Sequence, residues 1–142
     1  MKKEITIEWL KAACDDLLTI KEIIDKEYLT NIVAFHSQQA IEKSFKAILE
    51  DNEIEIPKVH SLIYLYEKVK AHIEIDDEEI LEQLNSLYIS SRYPADFGLL
   101  PYGKPTIEDA EKFFHFAIQV FKLTCKRLKI DENKIHSQGG CP

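Results

Sequence analysis

Six ionisable or amide side chains interrupt one apolar run of this 142-residue chain: within AFHSQQAIEKSFKAIL, residues 34 to 49, stand His36, Gln38, Gln39, Glu42, Lys43 and Lys46. Imidazole, carboxylate and ammonium groups hold phosphates and move protons, and amides supply directional donors. On a helical projection with His36 at zero, Ala34, Ile41, Phe45, Ile48 and Leu49 fall between about 120° and 220° and define a core-facing side. Gln38 falls at about 200°, inside that arc. A primary amide left unpaired there costs about 1–3 kcal/mol, so a specific buried partner is expected, on the first or last helix. Glu42 lies at the edge of the arc. His36, Gln39, Lys43 and Lys46 form a stripe on the other side, able to touch a phosphate or a partner, and equally well explained as a solvated face with a Glu42 to Lys46 pair.

Arg92 presents the same conflict. It lies about 20° from Leu81 on its helix and near Tyr88, flanking an apolar stripe, and its five donors require an anion or carbonyls. A tie to Glu42 and an anion-binding role at the mouth of a loop are both consistent with that position. The remaining histidines have simpler accounts: His60 precedes Ser61 at a helix start, His72 sits near a helix end, and His115 projects about 140° away from its helix's stripe.

Helices must position these groups. Residues 6–27 place Leu10, Ala13, Cys14, Leu17, Ile20 and Ile24 at spacings of three and four, which predicts a first helix. A turn at 28–31 leads into the second helix, about 31–50, which the loop DNEIEIPK ends. His60 and Ser61 open a short third helix, and Asp76 and Asp77 cap a fourth carrying Ile80, Leu81, Leu84, Leu87 and Tyr88. Pro94 stops that helix near Arg92. Thr106 with Asp109 is a capping-box pair for a last helix striped by Ala110, Phe113, Phe114, Ala117, Phe121, Thr124 and Leu128 and ending near Lys129. No alternating strand pattern of useful length occurs. The fold class expected is all-α, a compact up-and-down bundle of four to five helices over residues 1–130, with 131–142 a flexible C-terminal tail.

Eighteen Lys and Arg against 25 Asp and Glu leave a formal charge of −7, so the whole-molecule field repels nucleic-acid backbones and anionic membranes. No apolar run approaches a membrane span, and the N-terminal residues break their apolar stretches with charge, so a cytoplasmic location is expected. Cys14, Cys125 and Cys141 are odd in number and have no CxxC spacing. Neither a disulfide framework nor a metal site is expected; Cys14 and Cys125 read as small apolar helix residues, and His136 and Cys141 are not read as ligands. Gly-rich phosphate loops and the motifs of zinc proteases and serine hydrolases are absent, and no cofactor is expected.

The run AFHSQQAIEKSFKAIL, a following Pro57–His60–Leu62 pattern and LYISSRYP at 87–94 together resemble the HEPN domain family over roughly residues 8 to 128. The resemblance implies a HEPN-like bundle of four or five helices, a homodimer, and partnership with a minimal nucleotidyltransferase in a toxin–antitoxin or two-component system. It also implies a second possibility, since many members are metal-independent ribonucleases using an Arg followed four to six residues later by a His. In this chain the corresponding positions after Arg92 hold Phe97, Gly98 and Leu99, so the motif histidine is missing. The leading expectation is therefore a non-catalytic binding or assembly protein that takes a nucleotide or RNA, or the nucleotidyltransferase partner, at Gln38, Glu42, Lys43, Lys46, Arg92, His36 and His60. The alternatives are a ribonuclease of altered motif using Arg92 with His36 or His60, and a dimerisation module without ligand. Tyr93, Phe97, Leu99, Leu100 and Tyr102 are expected to pack on the bundle or across a dimer interface.

Overall fold

The computed structural model describes residues 3–90, 103–136 and 140–142. Arg92 and the aromatic residues expected to pack between 93 and 102 lie outside the described residues. Among the described residues the fold has five α-helices: α1 Glu4–Ile23, α2 Thr30–Asp51, α3 Leu62–Val69, α4 Glu78–Ser90 and α5 Ile107–Leu128. Single 3-10 turns at Glu27–Leu29 and Glu132–Lys134 join α1 to α2 and follow α5. Among the described residues there is no strand.

Helix α2 is the axis of the bundle, packing against each of the other four helices. That placement explains its composition, because a helix covered on nearly every side has no wide face left for water. Val33, Ala40, Ile41, Phe45, Ala47, Ile48 and Leu49 are fully buried, and so are Ser37 and Ser44. The stripe of α1 meets it through Leu10, Ala13, Leu17 and Ile20, and α5 contributes Phe113, Ala117, Val120 and Phe121. His115 is exposed, as its position on α5 predicts.

The helix ends follow local chemistry. Thr106 Oγ1 accepts from the Asp109 amide at 3.0 Å while the Asp109 carboxylate accepts from the Thr106 amide at 2.9 Å, completing the box that starts α5. Lys129 adopts a left-handed conformation at the other end. Ser61 caps α3 by accepting from the Tyr64 amide, and Asp77 accepts from Ile80 at the start of α4. The Asn85 side chain of α4 accepts from the Leu62 amide at 2.9 Å, which fixes the entry to α3.

One expectation is corrected. Cys14, read as a simple apolar helix residue, is bonded to Cys141 across 127 positions of sequence; only Cys125 is a buried free thiol. A pairing that bridges the two ends of a chain leaves no local spacing to read. The residues after α5 lie against the bundle at further points: Ile135 is buried, and His136 Nε2 meets Asp15 Oδ1 at 2.9 Å.

Candidate functional site

Two carboxylates organise the polar side of α2. Glu42 is 4% exposed and belongs to a ladder at four-residue spacing, so Gln38, Glu42 and Lys46 stack on one face. Gln38 Nε2 donates to Glu42 Oε1 at 3.1 Å and to the His60 carbonyl at 2.9 Å, and Gln39 Nε2 donates to Gln38 Oε1 at 2.7 Å. Lys46 Nζ donates to Glu42 Oε2 at 2.9 Å and lies 5.6 Å from the centre of the Trp9 ring on α1. The His60 ring completes the group, with Nδ1 at 3.2 and 3.3 Å from the two Glu42 oxygens.

A second carboxylate stands on α1. Asp16, also nearly buried, receives His36 Nδ1 on one oxygen at 2.8 Å and Lys43 Nζ on the other at 2.7 Å. His36 and Lys43, seven residues apart on α2, therefore converge on one anion supplied by the neighbouring helix. The two arrangements repeat one chemistry: carboxylate, ammonium and imidazole.

A carboxylate can only accept, so each imidazole in its neutral form carries its proton on Nδ1 and leaves Nε2 as its acceptor. This is the orientation that a buried acid imposes on a catalytic or ligand-binding histidine, and Lys43 and Lys46 balance the acids' charge. The His60 side chain is 49% exposed and is held from below by Glu42 and from behind by the Gln38 bond to its own carbonyl.

Between the two histidines runs a line of rings. His36 meets Phe35 edge-on with centroids 5.2 Å apart, Phe35 stacks on Tyr88 of α4 at 6.0 Å with planes 14° apart, and Tyr88 meets His60 at 5.4 Å. Phe35 is 38% exposed, and Ile32 and Ile89 are exposed nearby in sequence. The α2–α4 seam thus presents aromatic surface bracketed by two carboxylate-oriented imidazoles.

Gln38, Glu42, Lys46 and His60 are thus brought together, and His36 with Lys43 forms the second cluster. The partner expected for Gln38 on the first or last helix is instead Glu42 on its own helix and the chain preceding α3. Lys46 is buried rather than solvated, and Lys43 is committed to Asp16. Arg92 lies outside the described residues. Sequence reasoning missed Asp16, Phe35 and Tyr88 as members of the site. Asp16 had a signal: three residues after Ala13 and four before Ile20, it flanks the buried stripe of α1. Among the described residues no cluster of three or more His, Cys, Asp or Glu side chains has the arrangement to hold a metal ion.

Comparison with known proteins agrees with this architecture. A profile of the HEPN domain matches residues 6–128. The chain is 32% identical over 133 residues to the Methanocaldococcus jannaschii protein named "Putative toxin MJ1304", covering 85% of this chain and 86% of that protein. No solved structure matches it.

Proposed function

Because the chain belongs to the HEPN domain family, we propose that it is the HEPN half of a toxin–antitoxin-like pair, working as a homodimer that takes a nucleotide or an RNA end at the α2–α4 seam and pairs with a minimal nucleotidyltransferase. The naming of its Methanocaldococcus relative as a toxin supports the biological setting. The observation that carries the ligand reading is the line of rings between His36 and His60. Exposed aromatic surface stacks on bases at about 1–3 kcal/mol per base, and an imidazole Nε2 without a proton accepts from a base amino group or a ribose hydroxyl. A net charge of −7 disfavours long nucleic acid and is compatible with a mononucleotide or a short single-stranded end, which needs only a few fixed donors.

Gln38, Glu42, Lys43 and Lys46 act in this reading by holding the histidines, since their polar atoms are engaged with one another and with Asp16. The test is calorimetric titration with ATP, GTP and the mononucleotides. Binding that Phe35→Ala weakens by roughly tenfold, in line with the loss of one stacking contact, is the expected result. No heat from any of these ligands, or affinity indifferent to Phe35→Ala, removes it.

The ribonuclease reading is favoured by one observation, the Glu42-held His60. An imidazole oriented by a buried acid and open at Nε2 is equipped to take the proton of a ribose hydroxyl. RNA incubated with the protein in EDTA decides it. Cleavage lost in His60→Gln supports a metal-independent nuclease; intact RNA, or cleavage unchanged in that variant, excludes it.

A further inference from the structure

The bond between Cys14 and Cys141 has no part in the seam described above, and its surroundings differ on its two sides. Cys14 belongs to the buried stripe of α1 and has no exposed surface, whereas Cys141 is only partly buried and is followed by a half-exposed Pro142. The five helices supply most of the core, and the segment after α5 joins it through Ile135. What that segment adds is the buried side chain of Ile135, the partly buried Ile130 and Cys141 packed against the core, the His136–Asp15 contact and a Lys122–Glu132 pair. Between α1 and this segment is a cavity of about 380 Å³, lined by Glu8, Lys11, Ala12 and Asp15 on one side and by Lys134 to His136 on the other.

We propose that the Cys14–Cys141 bond is a thiol-exchange site, opened by a dithiol reductant, that fastens Ile135, His136 and Cys141 to α1 when oxidised and releases them when reduced. The asymmetry of burial directs the chemistry. A thiolate of the external dithiol attacks Cys141 Sγ, the reachable sulfur, forming a mixed disulfide while the bond to Cys14 breaks and Cys14 leaves as a thiolate that takes up a proton. The reductant's second thiol, as thiolate, then displaces Cys141, which is protonated in turn. Two electrons and two protons pass from the dithiol, which ends as its own disulfide, and the protein ends with two thiols.

Release leaves the five helices packed, because, of the core and the side chains packed against it, only Ile135 and the partly buried Cys141 belong to the part set free. It opens the Glu8–Asp15 face of α1, one residue from the Asp16 that holds His36 and Lys43. The third thiol does not compete. Burial, with Glu132 nearby, pushes Cys125 up to about 12, so it stays protonated and unreactive where exchange occurs. This proposal is independent of the ligand reading above.

The experiment poises the full chain at a series of dithiothreitol ratios in native buffer, labels free thiols with iodoacetamide, and follows peptide hydrogen exchange by mass spectrometry. The oxidised protein is expected to show no label at Cys141. The reduced protein should show label there, with exchange at Ile135 and His136 at least tenfold faster and α2 unchanged. Cys141→Ser should reproduce that faster exchange without any reductant. Label at Cys141 before reduction, label only once denaturant unfolds the bundle, or exchange at Ile135 and His136 unmoved both by reduction and by Cys141→Ser would each overturn the proposal.

Discussion

Glu42 shows how much one carboxylate can organise when it is denied water. Its oxygens face an amide, an ammonium and an imidazole, and the Lys46 partner is itself buried. Replacing it by glutamine keeps the shape and strands the ammonium, so Glu42→Gln should cost about 3–5 kcal/mol in urea unfolding. Adding Lys46→Met should restore most of that loss, because a buried ion pair stabilises little beyond what an apolar pair of similar size provides. A double variant no more stable than Glu42→Gln would show that the ladder is not a closed ion pair. Cys125 gives a pH-dependent counterpart. Its thiol rises from 9.0 to about 12 on folding, so the native state holds this proton more tightly than the unfolded state does. Its contribution is complete below pH 9 and disappears as pH climbs toward 12. Between pH 8 and 10.5 the wild type should therefore lose more stability than Cys125→Ala, and parallel pH profiles would refute the assignment. At this scale the sequence was only half legible. The burial of Gln38 follows from its place in the apolar arc of one helix. The identity of its partner, and the pairing of Asp16 with His36 and Lys43, depend on how two helices are rotated against each other, which one helix's periodicity does not encode.

At the scale of elements, the five helices were readable because each carries apolar residues at helical spacing, and α3, α4 and α5 have capping side chains at their starts. Thr106 and Asp109 announce α5, and the structure forms both halves of their box. Thr106→Ala should cost about 1 kcal/mol and lower the melting temperature by about 3–5 °C, measured by circular dichroism. An unchanged melting temperature would mean that the first turn of α5 is held by packing alone. The central role of α2 was harder to see. Its polar residues look like a wet face on a projection, and only the presence of neighbours on four sides converts Lys46 into a buried group resting near Trp9. His60 was assigned to the start of α3, yet Ser61 performs the capping, which leaves the imidazole for Glu42.

At the scale of the whole molecule, the bundle divides into a helical core and a chain end tied to α1 by Cys14–Cys141, the His136–Asp15 contact and buried Ile135. The disulfide was invisible in sequence because its cysteines are separated by nearly the full chain, whereas the all-helical class followed from periodicity alone. No described helix is long and apolar enough to cross a membrane. The proposed homodimer is expected to leave Phe35 open to the ligand and to use the exposed Ile32 and Ile89, and light scattering at micromolar concentration should give twice the chain mass; a monomer mass would remove the dimer from the proposal.

The central claim is that buried acids orient two imidazoles at the ends of an aromatic seam that meets a nucleotide. Long-range proton–nitrogen NMR of the histidine rings reads this directly. In their neutral form His36 and His60 should both carry the proton on Nδ1, and ATP should shift their Nε2 signals while leaving exposed His115 unmoved. Protons on Nε2 in both rings, or nitrogen signals indifferent to every nucleotide tried, would contradict the account.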